Sequence, residues 1–558
     1  MPRDRRDDPG QGASLERESV EIAAVLVRDQ QASIPCPRTG EPRALRHGPI
    51  VTPVADFPLL AISCRKSDAG RGGDLERKKF DLEEIAREAM REQGLTATLP
   101  RAAQAELERI QSPAEPDDDA IRDLRELPWI SIDNDDSLDL DQLGVAEDLG
   151  NDRIRVMIAI ADVDVLVPQG SELDKHAGVN TTSVYTPGHI FPMLPEKLST
   201  DFTSLNPGED RLAVVVEMIV DGGKIEGENV FRAHVRNRAK LAYESVAEWL
   251  EGTGEMPAAM AAFEPAAEQV RLQDEAAARL RTHRQEEGAL DFETIEAKAE
   301  VSDGQVVGVS RRQQTRAHRI IEDFMIAANG INARYLQRRK MSTIRRVVRS
   351  PERWERIVAL AEEHRHKLPQ EPDPGALEEF LLIQKKKDPV TFPDLSLSII
   401  KLMGRGEYVA QKAGSEPPGH FGLAVRDYTH STAPNRRYPD LVTQRLLKAA
   451  IADERHPYTF EELVTIADHC TKQENAADKV ERLVTKAAAA IHLQHRIGEE
   501  FQGVITGASG KGVWVRTFDP PVEGKVVSGS RGLDVGDRVR VKLVGADPER
   551  GFIDFSRR

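Results

Sequence analysis

The sequence has few cysteines and no long apolar run. Its three cysteines, Cys36, Cys64 and Cys470, lie far apart in a chain of 558 residues. This spacing fits neither a disulfide framework nor a zinc site, and it is typical of a protein from a reducing cytoplasm. No stretch of about 18 apolar residues occurs, so no membrane-spanning helix is predicted. The first residues, MPRDRRDDPG, are charged and no apolar segment follows them, so we expect a cytoplasmic protein without a secretory signal.

Basic residues are also in the minority. The chain has 77 Lys and Arg against 93 Asp and Glu, which gives a net charge of −16. Because nucleic-acid-binding domains often carry a basic surface, this total argues weakly against such a role, although a local patch can override it. Residues 333–351, ARYLQRRKMSTIRRVVRSP, are strongly basic. On their own they are most simply interpreted as a solvated helix end followed by a strand.

The length and the changes in pattern along the chain predict an α+β protein of several domains. Residues 1–117 form an N-terminal accessory domain with two predicted helices, broken near Gly94 and resumed at Pro100. A helix-turn-helix or winged-helix unit fits them, and so does an ordinary helical hairpin. Residues 118–497 mix strands and helices and are expected to form a central mixed α/β domain. Residues 498–558 contain five short β-rich runs and predict a five-stranded OB-fold barrel.

Five segments of the central domain give specific predictions. Residues 153–167 are expected to form a largely buried strand, and residues 315–339 a long helix with a wide apolar stripe. Residues 436–451 and 474–497 are also predicted to be helical. Residues 364–379 are predicted to be a loop or linker.

Five aspartates are crowded into residues 131–143, SIDNDDSLDLDQL. Residues two apart in an extended segment share a face, so Asp139 and Asp141 are expected to point the same way, and a turn could bring Asp133 beside them. Three carboxylates this close repel one another unless a cation compensates them. Oxygen ligands alone favour Mg²⁺ or Mn²⁺.

Two other kinds of structure, a surface loop and a calcium loop, could also account for so many aspartates. An acidic surface loop, with Asp as a turn former, is about as plausible from the segment alone. An EF-hand calcium loop requires Gly at its sixth position and Glu at its twelfth. Counted from Asp133, these positions hold Leu138 and Gly144, so the calcium loop is excluded.

A basic segment supplies the partner that phosphate chemistry requires. Carboxylate-bound Mg²⁺ most often acts on phosphates, and the developing charge needs a further cation. In residues 428–447, YTHSTAPNRRYPDLVTQRLL, Arg436 and Arg437 precede a predicted helix whose N-terminus also favours phosphate. A structural ion pair with Asp440 would account for one arginine more readily than for both.

Four segments of the chain, in this order, resemble successive blocks of the catalytic RNB domain of the ribonuclease II / ribonuclease R family: DLRELPWISIDNDDSLDLDQL, TSVYTPGHIFPMLPEKLSTDFTSLNPGEDRLAVVVEM, AHRIIEDFMIAAN and HFGLAVRDYTHSTAPNRRYPDLVTQRLL. The resemblance covers roughly residues 122–497, and the C-terminal barrel resembles the S-one type OB fold that ends these enzymes. It implies a processive 3′-to-5′ exoribonuclease that depends on Mg²⁺, for which Mn²⁺ could substitute. Single-stranded RNA is the expected partner and 5′-nucleoside monophosphates the expected products.

Matching positions imply roles for individual residues. The four active-site aspartates of the family correspond to Asp133, Asp139, Asp141 and Gln142, which would be the metal ligands, and the arginine that assists cleavage corresponds to Arg436. The residues expected to contact RNA are Tyr185, Phe292, Tyr243, Glu322, Glu481 and Arg437, joined by Trp514 and Phe518 in the barrel. Tyr185 and Phe292 would clamp the terminal bases by stacking, which suits any base sequence. Trp514 and Phe518 are expected to lie on one strand as the aromatic platform of an OB fold.

The sequence also departs from the family pattern. Gln142 stands at an expected aspartate and brings no charge, so weaker metal binding is expected. Ala159 replaces a usual histidine, and HFTSPIRRY has become HSTAPNRRY, which introduces Ser431, Ala433 and Asn435. Paired N-terminal cold-shock barrels are not apparent, and the N-terminal helices could provide a further nucleic-acid contact instead. The protein is expected to be monomeric. An alternative is a relative that binds RNA without cleaving it, although the retention of Arg436 argues against that.

Overall fold

The computed structural model describes residues 80–557, except residues 117, 295, 303, 304, 313, 352, 390 and 535. The predictions that concern residues 1–79 lie outside the described residues. The helices are α1 Leu82–Glu92, α2 Arg101–Arg109, α3 Glu172–Asn180, α4 Tyr243–Glu251, α5 Ala258–Ala261, α6 Pro265–Glu286, α7 Arg316–Arg338, α8 Trp354–Glu363, α9 Pro374–Lys387, α10 Phe392–Met403, α11 Tyr438–Ile451 and α12 Phe460–Leu493. The strands are β1 Arg122–Asp123, β2 Ile130–Asp133, β3 Gln142–Gly150, β4 Arg153–Ala161, β5 Val184–Thr186, β6 His189–Phe191, β7 Asp210–Asp221, β8 Lys224–Arg236, β9 Ala239–Ala242, β10 Glu296–Ser302, β11 Gln305–Arg312, β12 Thr343–Val347, β13 Glu407–Gln411, β14 Glu500–Ser509, β15 Gly512–Thr517, β16 Glu523–Ser528, β17 Arg538–Asp547 and β18 Phe552–Arg557.

A seven-stranded mixed sheet organises the central region. Its strand order is β1-β8-β7-β4-β3-β2-β9, with β1/β8 and β2/β9 parallel and the remaining neighbours antiparallel. The predicted strand at residues 153–167 is confirmed as far as Ala161. The next residue, Asp162, is almost completely buried and forms an ion pair with Lys448 of α11, Oδ1 to Nζ 2.9 Å. This strand end therefore lies against the helix that follows the Arg436–Arg437 pair.

The predicted long helices are confirmed, and their ends have local causes. A capping box between Thr315 and His318 begins α7. A second capping box, between Thr459 and Glu462, begins α12, which is longer than predicted and runs for 34 residues. The predicted loop at residues 364–379 is partly wrong, because the Asp373 side chain caps α9 by accepting a hydrogen bond from the Ala376 backbone N–H at 3.0 Å.

The two helices predicted on either side of Gly94 are present. Gly94 has φ +75°, a left-handed conformation that suits the residue ending a helix. Within residues 80–116, all of which the structure describes, there are two helices and no strand. Helix α1 lies on the central region, because Met90 shares a hydrophobic core with Val184, Phe191 and Val480. This cluster joins α1 to the β5–β6 hairpin and to α12.

The five predicted C-terminal strands form a closed barrel with the order β14-β15-β16-β18-β17. Its core contains Phe501, Val515 and Phe555 and continues into the end of α12 through Leu493. None of the described helices is both long enough and apolar enough to cross a membrane.

Candidate active site

The acidic segment joins β2 to β3, and a neighbouring serine holds it in place. Asp133 is the last residue of β2, and Asp141 immediately precedes β3. The Ser204 hydroxyl donates to the Leu138 carbonyl at 2.7 Å and accepts from the Leu140 N–H at 2.9 Å. Since both ends of the segment are anchored in the sheet, the carboxylates are held by a fixed backbone.

Lys240 fixes the tip of the same segment. Its Nζ donates to the carbonyls of Asp135 and Ser137, each at 2.7 Å. The side chains of Asp135 and Asp136 are exposed, whereas Asp133 is only 2% exposed. Asp135 and Asp136 are therefore loop residues that face solvent rather than members of the buried acidic pair.

Asp133 and Asp141 form this buried acidic pair. Asp133 Oδ1 accepts hydrogen bonds from the Asn134 N–H at 2.7 Å and from the Ser137 hydroxyl at 2.8 Å. Burial raises the pKa of Asp133 to about 6, and the charge of Asp141 adds to the increase, while the hydrogen bonds and Arg436 oppose it. Two carboxylates at this depth require positive charge nearby.

Arg436 provides that charge to Asp141. Its Nε donates to Asp141 Oδ2 at 2.7 Å, and the Asn435 side-chain amide donates to Oδ1 at 3.1 Å. Burial raises the pKa of Asp141, and the charge of Arg436 opposes this increase. Burial lowers the pKa of Arg436, but Asp141, Tyr185 and Asp139 outweigh this effect and raise it above its ordinary value. The half-buried Asp139 therefore lies within the field of the same guanidinium.

The two adjacent arginines have different partners. Asp440, which is fully buried, accepts hydrogen bonds from the backbone N–H groups of Thr432 at 2.8 Å and Ala433 at 2.9 Å. Arg437 Nη2 donates to the same oxygen at 2.7 Å. Arg437 thus closes a structural ion pair at the start of α11, while Arg436 is directed to Asp141.

Tyr185 lies beside this group. The Ser183 N–H donates to the Arg436 carbonyl at 3.0 Å, which ties the strand leading to Tyr185 to the arginine loop. The Tyr185 N–H donates to Glu481 Oε1 at 2.7 Å. Glu481 of α12 therefore positions the backbone of Tyr185. The structure brings Asp133, Asp139 and Asp141 together with these residues.

Three predicted RNA-contact residues lie in other surroundings. Phe292 is half-buried and packs against a hydrophobic cluster that includes Trp354 and Phe380. Glu322 accepts from the Gln314 amide at 2.6 Å, and burial, followed by the charge of Asp323, raises its pKa.

Tyr243 lies in the hydrophobic core. It is 2% exposed and stacks on His318 with ring centroids 3.9 Å apart. This burial favours a packing role for Tyr243 over an exposed surface for stacking bases.

In the barrel, the two predicted aromatic residues are arranged differently from the prediction. Trp514 is half-buried on β15, opposite Lys525 of β16. The strand ends at Thr517, so Phe518 lies one residue beyond it, with its backbone N–H donating to the Gln502 carbonyl at 2.9 Å. Trp514 is the member of the pair that lies on the barrel sheet.

Gln142 is the first residue of β3 and is 7% exposed. Strand alternation puts it on the same face as Gly144, where a Cβ would lie 2.6 Å from Gln273 Oε1 of α6. Asp141 lies on the opposite face. Within the part of the chain that the structure describes, no hydrogen bond joins the Gln142 side chain to the acidic pair, so its predicted role as a metal ligand stays a prediction.

The donor set fits a divalent cation that is shared with a substrate. Among the described residues, no group of three or more His, Cys, Asp or Glu side chains has the geometry to hold a metal ion. The hydrogen bonds that Asp133 accepts from Asn134 and Ser137 all end on Oδ1. Its Oδ2 and the nearby Asp141 therefore match the common Mg²⁺ site, in which one or two carboxylates act together with substrate phosphates and water.

Sequence reasoning missed several residues that hold the site. Ser204 and Lys240 support the acidic segment, and Thr203 contacts Asn435, with its Oγ1 donating to Asn435 Oδ1 at 2.6 Å. The one signal in the sequence is that Asn435 departs from the family pattern. The contact partner of Asn435 is 294 residues away in sequence, so no local pattern could reveal it.

A buried acidic pair, an arginine at a helix start and a C-terminal barrel define a nuclease-like protein with a nucleic-acid-binding module. Residues 121–453 match the family model described as the RNB domain, and residues 499–558 match the RNase II-type exonuclease C-terminal S1 domain. The chain belongs to the RNB family of exoribonucleases.

Curated relatives agree with this assignment. Ribonuclease R of Aquifex aeolicus is 30% identical over 546 residues, covering 91% of this chain and 74% of that protein. Ribonuclease R of Thermotoga maritima is 33% identical over 471 residues, covering 78% of this chain and 64% of that protein. The chain thus spans about two thirds to three quarters of these relatives.

Solved structures share the fold. Mycoplasma genitalium RNase R in complex with ribose methylated single-stranded RNA has a TM-score of 0.78 at 22% identity, covering 86% of this chain and 78% of that one. Yeast Ssd1, described as a pseudonuclease, has a TM-score of 0.64 at 18% identity, covering 82% of this chain and 57% of that one. At these identities the likeness establishes the fold alone, which is shared by proteins with and without nuclease activity.

Proposed function

We propose that the protein is a processive 3′-to-5′ exoribonuclease that hydrolyses single-stranded RNA to 5′-nucleoside monophosphates. The observation that carries the proposal is the buried contact of Arg436 with Asp141, beside Asp133 and Tyr185. An anionic pair next to one cation suits a phosphodiester that brings its own negative charge. Family membership supports the same reaction.

Each of these residues has a task that follows from its surroundings. Asp133 Oδ2 and Asp141 would hold Mg²⁺, or Mn²⁺ in its place, and Asp139 lies near enough to assist. When bound, the ion neutralises phosphate charge and makes water more acidic. The guanidinium of Arg436 stabilises the negative charge that develops on the phosphate.

RNA would be held mainly by stacking. Tyr185, whose backbone is fixed by Glu481, can stack on a terminal base, and base–aromatic stacking is worth about 1–3 kcal/mol per base. Trp514, with Lys525 opposite it, can bind the strand farther along. Glu322 and Phe292 remain proposed contacts of the RNA path. We propose a cytoplasmic monomer that acts on RNA, with a further nucleic-acid contact in the N-terminal region.

The rival function is RNA binding without cleavage, which the neutral Gln142 would mark. The test is a 5′-labelled single-stranded oligonucleotide incubated with the full chain in Mg²⁺ or in EDTA. The exoribonuclease produces 5′-mononucleotides, together with labelled fragments shortened from the 3′ end, in Mg²⁺ only. A stable mobility shift with intact oligonucleotide in both conditions would support the rival instead.

A further inference from the structure

We propose that Asn435 is a positioning residue for the Asp141 carboxylate and that Thr203 supports the Asn435 amide in the required orientation. The inference rests on the proposed exoribonuclease function for its kinetic consequence. The arrangement of the Asp141, Asn435 and Thr203 side chains does not depend on that function.

Protein donors form hydrogen bonds with both carboxylate oxygens of Asp141. Arg436 Nε occupies Oδ2 at 2.7 Å, and Asn435 Nδ2 occupies Oδ1 at 3.1 Å. Asp141 and Asn435 are each 1% exposed, so solvent does not compete for these bonds. A carboxylate bonded at both oxygens by groups on one loop cannot rotate about its Cβ–Cγ bond without breaking at least one bond.

The hydrogen-bonding partners of the Asn435 side-chain amide indicate its orientation. A carboxylate only accepts hydrogen bonds, so the atom of Asn435 facing Asp141 must be its nitrogen. The amide oxygen then faces Thr203, whose Oγ1 lies 2.6 Å from it and 2.8 Å from the Leu198 carbonyl, so the single hydroxyl proton has two acceptors. The reversed amide would place oxygen against carboxylate, so Asp141 selects the orientation, and Thr203 stabilises it when its proton points to the amide oxygen at the shorter distance.

The loop that carries Asn435 is itself held by hydrogen bonds on both sides. Asp440 fixes the backbone on one side through Thr432 and Ala433. Ser431, the other polar departure from the family pattern, has its Oγ bonded to Asn329 and Asn332 of α7, each at 2.8 Å. The family pattern has isoleucine at position 435, which can make neither bond, so this chain holds its acidic residue through an additional polar contact.

The test compares Asn435→Ile, Thr203→Val and the double variant with the wild-type chain in the single-stranded RNA assay. Losing a hydrogen bond to a charged group should lower kcat roughly 10- to 100-fold in Asn435→Ile, with KM changed less than about twofold. Thr203→Val should lower kcat less. The double variant should be no slower than Asn435→Ile, because Thr203 acts through Asn435. Thr203→Ser, which keeps the hydroxyl, should restore the wild-type rate.

A matched control and a measurement independent of cleavage complete the design. Thr200→Val removes a hydroxyl three residues from Thr203 whose one bond within the described part of the chain is to the Glu196 carbonyl, and it should leave kcat unchanged. Crystal structures of the wild type and Asn435→Ile should show the Asp141 carboxylate rotated in the variant. An unmoved carboxylate overturns the inference, and so do additive effects of the two substitutions. If the wild type cleaves no RNA, the proposed function fails, and the crystal structures still decide the positioning role.

Discussion

The two arginines of the NRRY sequence differ because only Arg437 has an acidic partner on the first turn of its own helix. Asp440 holds Arg437, whereas Arg436 reaches an aspartate 295 residues away in sequence. The sequence could predict that one arginine closes an ion pair, but the choice between them depends on the direction in which each side chain leaves the loop.

Replacing Arg436 by lysine should therefore impair chemistry more than folding. A lysine keeps the charge but lacks the planar guanidinium that bonds Asp141 while facing the phosphate. We expect kcat to fall roughly 100-fold with little change in melting temperature. The matched control, Arg437→Lys, should lower the melting temperature more than the rate. Equal rates for wild type and Arg436→Lys would contradict this account.

A second residue gives a pH-dependent prediction for stability. Burial raises the pKa of Glu378 to about 7, and nearby Asp291 adds to this, although the carboxylate accepts a hydrogen bond from the Asp291 N–H. The folded state therefore holds a proton that the unfolded state releases near its ordinary pKa, so stability falls as the pH rises from about 4.5 to about 7.

The variant Glu378→Gln removes this titration and keeps a hydrogen-bond acceptor. It should be more stable than the wild type at pH 8, by at most about 3 kcal/mol, and this advantage should shrink towards pH 5. Thermal melts of both proteins across this range measure the difference. A difference in melting temperature that is independent of pH would show that Glu378 ionises normally in the folded chain.

At the scale of elements, α1 supports the hairpin that carries Tyr185. Met90 is fully buried in the cluster that includes Val184 and Phe191, so α1 and the hairpin share a core. Thr96, which follows α1, makes a separate contact with the last residue of α3, since its N–H donates to Asn180 Oδ1 at 2.9 Å and its carbonyl accepts from Nδ2 at 2.7 Å.

Truncation of Met90 to alanine should accordingly destabilise the protein by roughly 2–5 kcal/mol, because a buried side chain leaves a cavity. Arg91→Ala is the matched control, since among the described residues its exposed side chain pairs with Glu88 alone, on the same helix. Chemical denaturation of both variants measures the effect. Equal stabilities would mean that α1 does not depend on the contact with the hairpin.

Elements with a strong local pattern could be predicted from the sequence, whereas the supports of the site could not. The barrel strands and α7 follow from alternation and from an apolar stripe, and Asp133 and Arg436 follow from family blocks. Ser204 and Asn435 make contacts that only the folded chain creates. The start of α9 at Pro374 differs from the predicted loop because the surrounding prolines indicate a loop, although a capping aspartate before Pro374 is also a start signal.

At the scale of the whole molecule, the barrel continues the core of α12, the helix that also carries Glu481. Ala490 and Leu493 belong to the same hydrophobic cluster as the barrel strands. Gly551 of the barrel approaches α12 so closely that a Cβ would lie 3.0 Å from Lys486 Cβ. The proposed RNA-binding surface of the barrel is therefore attached to the helix that positions Tyr185.

This attachment predicts that the barrel contributes affinity rather than chemistry. Trp514→Ala should weaken binding of a long single-stranded RNA about 5- to 100-fold, the value of one stacked base, with kcat at saturating RNA unchanged. Phe552→Ala removes an aromatic side chain that is 57% exposed elsewhere on the barrel and serves as the control. Fluorescence anisotropy measures both affinities, and equal losses would refute a specific role for Trp514.

The central claim is that Asp141, held by Arg436, is essential for cleavage and dispensable for binding. The most direct measurement compares wild type and Asp141→Asn on labelled poly(A) in Mg²⁺, with the rate of degradation and the affinity determined on the same preparations. The account predicts that Asp141→Asn abolishes degradation and leaves RNA affinity largely intact. Degradation by Asp141→Asn at the wild-type rate would contradict it.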